Sequence, residues 1–193
     1  MGMASPSPYC VSALLLLLSL LFLSSTVAVE ASHCHPPTHL HFYFHEIFGN
    51  GTNSTIARLF DPRGGINNGS FFGSLTIVDN MIREGKDPSS RLIGRVQGLA
   101  AGVSLSDSAF LTLFDFVFTE GPFKGSTLQV FSRPLLEPVV IERPIVSGTG
   151  AFRMARGYML AKIIESPDPN NLLIIEFNAY VWHKEVPISL GVL

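Results

Sequence analysis

The acids set among apolar residues are where this sequence could do proton chemistry. In Phe42-Tyr43-Phe44-His45-Glu46, an extended chain puts Glu46 on the same face as Phe42 and Phe44, because strand side chains alternate with a period of two. Asp115 in "FLTLFDFVF" shares its face with Leu111, Leu113 and Val117. An acid taken out of water there has its neutral form favoured and its pKa raised. Glu176 in "EFNAY" is a comparable group. Each such acid either bonds a polar neighbour as part of the framework or exchanges a proton with a ligand.

Histidine is the other residue that stands out. Five of the six histidines fall between His33 and His45, in "HCHPPTHLHFYFH". On a strand His39, His41 and His45 share a face with Tyr43, and histidines at i and i+2 can chelate a metal. Pro36-Pro37 separates His33 and His35 from that strand, and no downstream Cys or His cluster completes a tetrahedral set. The segment therefore reads as a tail running into the first strand, with no resident metal or cofactor. "VSGTG" at 146–150 lacks the third glycine and the helix of a dinucleotide loop, and its glycines read as a tight turn. No nucleophile elbow or HExxH pattern occurs.

These residues must be held by strands, since almost nothing in the chain has helical periodicity. Phe, Val, Ile and Thr form runs broken by Gly, Pro, Asn and Asp clusters. The expected strands lie near 39–48, 54–60, 71–79, 91–103, 109–119, 126–133, 151–165 and 171–184, with 134–150 as an ordered loop. Eight long strands in sequential antiparallel order suit a closed β-barrel whose interior holds one small ligand. Strand 109–119 is apolar on both faces, so a lumen covers one side and a second subunit the other. That predicts self-association, with dimer and trimer both open.

Upstream, "VSALLLLLSLLFL" at 11–23 precedes "SSTVAVEAS". The apolar run is short for a membrane span and ordinary for a secretory leader, with an uncleaved anchor as the alternative. The expected organisation is a signal peptide over 1–31, a flexible segment over 32–38 and a single barrel domain over 39–193. Cleavage after Ala28 or Ala31 removes Cys10 and Glu30. Cys34 is then alone, without an intrachain disulfide partner, and the remaining 13 basic and 14 acidic residues give a charge of −1. That balance offers no field for nucleic acid or for an anionic membrane surface. Three sequons, at Asn50, Asn53 and Asn68, fit a secreted glycoprotein.

Several segments together resemble the plant dirigent proteins: "FYFHEI" (42–47), "GRVQG" (94–98), "FVFTEGPFKGSTL" (116–128), "ERPIVSGTGAFRMARGY" (142–158) and "EFNAYVWH" (176–183). The resemblance implies an eight-stranded barrel of the allene-oxide-cyclase-like type, also lipocalin-like in outline. It implies location in the apoplast or cell wall, glycosylation and homo-oligomers. Family members of this kind bind phenoxy radicals of monolignols such as coniferyl alcohol, made elsewhere by laccases or peroxidases, and orient them so that coupling gives one stereoisomer. Some relatives instead act by acid–base catalysis on a quinone-methide-like intermediate, or serve lignin deposition in the wall.

Carried over residue by residue, the resemblance makes Glu46 the pocket acid and Asp79 one of two consecutive acids, with Asn80 in place of the other. Phe42, Phe44, Asp115, Glu142 and Arg156 are then the expected substrate-binding residues. The family's usual Arg before Glu142 falls on Ile141, an aromatic falls on Ala100, and polar positions fall on Leu160 and Pro134. These departures predict a pocket that has lost a cation and two polar groups.

Overall fold

The computed structural model describes residues 36–48, 52–60, 71–135 and 139–184. The leader, Cys34, Asn50 and Asn68 lie outside the described residues. Nine strands form: β1 (Thr38–Ile47), β2 (Ile56–Phe60), β3 (Leu75–Arg83), β4 (Leu92–Gly102), β5 (Phe110–Phe118), β6 (Thr127–Ser132), β7 (Ile141–Thr149), β8 (Arg156–Ile164) and β9 (Leu172–Trp182). Each strand pairs antiparallel with its sheet neighbours, and β1 joins β9 on one side and β3 on the other. The circuit from β3 through β9 and back by β1 is a closed eight-stranded antiparallel barrel. Strand β2 lies outside that circuit. It continues the wall along the first half of β3, pairing Ile56 with Val78, while β1 takes the second half, pairing Phe44 with Ile82.

The number of barrel strands agrees with the expectation, but the membership differs. Residues 141–149, expected as loop, form β7, and β2 is an addition to the barrel. Pro144 is accommodated because it lies beyond Ile145, the last β7 residue paired to β6, so its missing N–H breaks no ladder on that side. The strand expected at 71–79 is shifted to 75–83.

One end of the lumen is filled with rings. Phe42 stacks with Phe177 at 5.6 Å and meets Phe116 at 5.8 Å. A single 3-10 turn at Gly150–Phe152 pushes Phe152 under the barrel, 5.6 Å from Phe118 and 4.7 Å from Phe123. The rings of β5 find room because Phe110, Phe114 and Phe118 face Gly102, Gly98 and Gly94 of β4. At Gly98, with φ of +154°, a Cβ would come within 1.9 Å of the Leu113 carbonyl oxygen, so only glycine permits this approach.

Candidate functional site

The opposite end of the lumen is open. A cavity of about 190 Å³ lies there, with Phe71, Phe110, Phe114 and Val78 as apolar walls and Ser74, Thr76 and Ala100 as small ones. Arg58 and Phe60 of β2 stand at its rim, and Glu46 at the end of β1 supplies its acid.

A relay of hydrogen bonds holds Glu46. The backbone N–H of Ile47 donates to Thr55 Oγ1 at 2.8 Å, and that hydroxyl donates to Asn80 Oδ1. Asn80, fully buried on the inward face of β3, then donates from Nδ2 to Glu46 Oε2 at 2.8 Å. Burial is the largest influence on Glu46 and raises its pKa, against the smaller opposing effects of Asn80 and the Arg58 charge. Glu46 is thus a cavity-lining acid held on one carboxyl oxygen and shifted towards the range where proton exchange is possible.

A cation also lies within the barrel. Arg143 on β7 is only 6% exposed, and its Nη1 donates to Thr112 Oγ1 at 3.1 Å and Ser132 Oγ at 3.3 Å. Its guanidinium lies 5.7 Å from the centre of the Phe114 ring, the same ring that walls the cavity. Arg143 thus brings a cation into the lumen near the position, Ile141, that the resemblance leaves without one. Ile141 and Arg143 share the inward face of β7, so the charge is present two residues further along the same strand. Arg143 escaped notice because 134–150 was expected to be a loop, which assigns no face to its residues.

The other expected site residues separate into two groups. Phe42 and Phe44 face the lumen but are packed into its filled part, with Phe44 6.1 Å from Phe177. Asp79, Asp115, Glu142 and Arg156 lie on the outer face, away from Glu46. Asp79 is paired with Arg95 and accepts from Gln97 Nε2 at 3.2 Å. Asp115 is exposed between Gln97 and Gln129, contrary to its expected burial, since nothing among the described residues covers that face of β5. Glu142 is exposed opposite Leu160, and Arg156 donates to the carbonyls of Val146 and Ala155. Asn53 is exposed.

His39, His41 and His45 lie along the outer wall, each with its own partner. His39 lies 3.0 Å from Asn178 Oδ1, His41 2.8 Å from Glu176, and His45 donates towards the Gly85 carbonyl at 3.2 Å. Glu176 is thereby an outer-face group too. Among the described residues no three metal-ligating side chains converge.

This barrel and its sequence can be placed among known proteins. The model of the Dirigent-like protein family matches residues 37–182. Dirigent protein 1 of Arabidopsis thaliana is 38% identical over 176 residues, covering 91% of this chain and 95% of that protein. Pterocarpan synthase 1 of Glycyrrhiza echinata is 35% identical over 148 residues, 76% of this chain and 78% of its own length. The solved structure of the pterocarpan synthase dirigent protein GePTS1 superposes with a TM-score of 0.70 at 32% identity, over 80% of this chain and 89% of that one. The chain belongs to the dirigent-like protein family.

Proposed function

We propose that this chain is a secreted binding barrel that steers the coupling of phenoxy radicals of the monolignol type. Oxidation is supplied by a separate laccase or peroxidase in the apoplast or cell wall. The observation that carries this reading is the cavity itself: four phenylalanines, small walls that include Ser74 and Thr76, and one half-buried acid with a raised pKa. Its volume of about 190 Å³ suits a single phenolic ring, below the roughly 300–1,000 Å³ typical of drug-sized pockets. A radical held there by one ring exposes one face to an incoming partner, and approach geometry decides the stereoisomer. Incubating the purified protein with coniferyl alcohol and a laccase tests this. An enantiomeric excess in the dimer supports it, and racemic product at every protein concentration overturns it.

A second reading is favoured by the raised pKa of Glu46 and by the similarity to pterocarpan synthases. Here Glu46 gives or takes a proton on a quinone-methide-like intermediate bound in the same cavity. Asp79 lies on the outer face, so Glu46 acts with Asn80, its hydrogen-bond donor on β3. Turnover of a preformed intermediate without oxidant distinguishes this from steering. A protein that does neither is left as a wall-assembly factor for lignin.

Secretion, glycosylation and self-association belong to the same proposal. The outer face carries Leu113 at 44%, Phe131 at 46% and Val146 at 40% exposure, around a shallow groove between β4, β5, β6 and β7. A second copy of this chain, giving a homodimer or homotrimer, is its natural cover.

A further inference from the structure

Arg143 has no role in the reading above. Buried cations are ordinarily matched by a carboxylate, because a charge out of water is costly unless paired. Among the described residues none reaches it. Its two recorded bonds both leave from Nη1, to the neutral hydroxyls of Thr112 and Ser132, and those hydroxyls already bond each other at 2.8 Å. Nε is buried with no acceptor. Burial lowers the pKa to about 10, which still leaves the group cationic at neutral pH. Arg58 on the cavity rim adds a second cation nearby, and Glu46 is bonded to Asn80, not to Arg143. Among the described residues, then, no carboxylate balances the positive charge that Arg143 brings into the lumen.

We infer that Arg143 is an anion-recognising residue at the inner edge of the Glu46 cavity, and that the preferred ligand is a phenolic ring carrying a carboxylate. This rests on the reading that the lumen takes a phenylpropanoid-type phenol, and it narrows the class. A carboxylate matches the guanidinium fork and neutralises it, with charge-assisted bonds about twice as strong as neutral ones. An alcohol leaves the charge uncompensated, and so does a phenol, whose ordinary pKa is near 10. Thr112 lies between Phe110 and Phe114 on the inward face of β5, so the hydroxyl that holds Arg143 is flanked by two cavity walls. A ring resting on Phe114 then has the cation at one end and Glu46 across the lumen.

Calorimetric titration with ferulic acid and with coniferyl alcohol tests this, since the two share one ring and differ in carboxylate against alcohol. At pH 7 the expected result is ferulate bound about tenfold or more tightly than the alcohol. In Arg143→Met the two affinities should become equal through loss of ferulate binding, with alcohol binding kept. Arg58→Met should leave the preference in place. A measurement on the unaltered protein stands even if a variant fails to fold: the preference should vanish below the pKa of the ligand's carboxyl group. Equal affinities at pH 7 overturn the inference and leave the phenylpropanoid reading intact. A preference that survives in Arg143→Met, or at acid pH, overturns it as well. Failure to bind either compound overturns both.

Discussion

Asn80 donates to Glu46 at 2.8 Å across the junction of β1 and β3, so the pocket acid is held by a neutral amide and not by a second acid. Its neighbour Asp79 points the other way, into a pair with Arg95. Glu46→Gln keeps an acceptor for Asn80 while removing the ionisable proton. Stability should change by less than about 1 kcal/mol, the net worth of one such hydrogen bond. Enantiomeric excess, or turnover of a preformed intermediate, should fall. A lowered melting temperature with unchanged product ratios means that Glu46 serves only the framework.

Asn80→Asp is the complementary change. Two carboxyl groups within hydrogen-bond reach share one proton, which pushes one apparent pKa up further. Any pH-dependent step that uses Glu46 should shift its midpoint to higher pH. A rate or selectivity profile identical to that of the unaltered protein rules out proton chemistry at this pair.

Burial acts on Glu46 and His45 in opposite senses, raising the first pKa and lowering the second. The folded chain keeps a proton on Glu46 that the unfolded chain has released. That contribution is full below the ordinary glutamate range and is lost as pH rises through the raised folded value. For His45 the folded chain refuses a proton that the unfolded chain accepts. Its contribution is full above the ordinary histidine range, about 6.5, and is lost as pH falls through the lowered value. Melting curves across pH 3–8 should therefore show Glu46→Gln gaining on the unaltered protein as pH rises. His45→Gln, which can still donate to the Gly85 carbonyl, should flatten the decline below about 6.5.

The filled part of the lumen should respond to volume alone. Phe42→Ala removes a ring in contact with Phe116, Phe118 and Phe177 and should cost about 3–5 kcal/mol. Gly98→Ala places a methyl group against the Leu113 carbonyl and should cost about 2–3 kcal/mol. Chemical denaturation measures both. A loss under 1 kcal/mol at Gly98 would mean that the β4–β5 approach relaxes freely.

Self-association should depend on the outer wall of β5 and β6. Leu113→Arg places a charge among the exposed apolar side chains Phe131 and Val146 of that groove and should convert an oligomer to monomer in light scattering, with the melting curve still cooperative. A monomer before substitution counts against the second-copy reading.

Where one face of a strand is plainly aromatic, the sequence is sufficient. The alternation in 42–46 places Glu46 inward with the two rings, as found. It says less in β5, where both faces are apolar and inward cannot be told from outward without a neighbour. Hence Asp115 was expected to be buried and is not. In β7, Pro144 and Gly148 read as breakers because their neighbours are invisible in one dimension. Pro144 turns out to lie past the end of the β6 ladder, and Gly148 is where the strand passes close to Phe152. Which half of the lumen is filled depends on Phe152 arriving from the turn after β7, a contact that strand periodicity does not express.

The packed end and the open end of the barrel share strands, and Phe114 belongs to both, since it walls the cavity and packs against the core cluster. Effects of substitutions more than about 7–10 Å apart with no shared partners usually add. Changes of guest made through Phe114 therefore act on the fold as well, whereas those made at Arg58 and Phe60 on the rim lie outside the core cluster. Such a scaffold tolerates drift at its mouth, and changes of ligand can accumulate there one residue at a time.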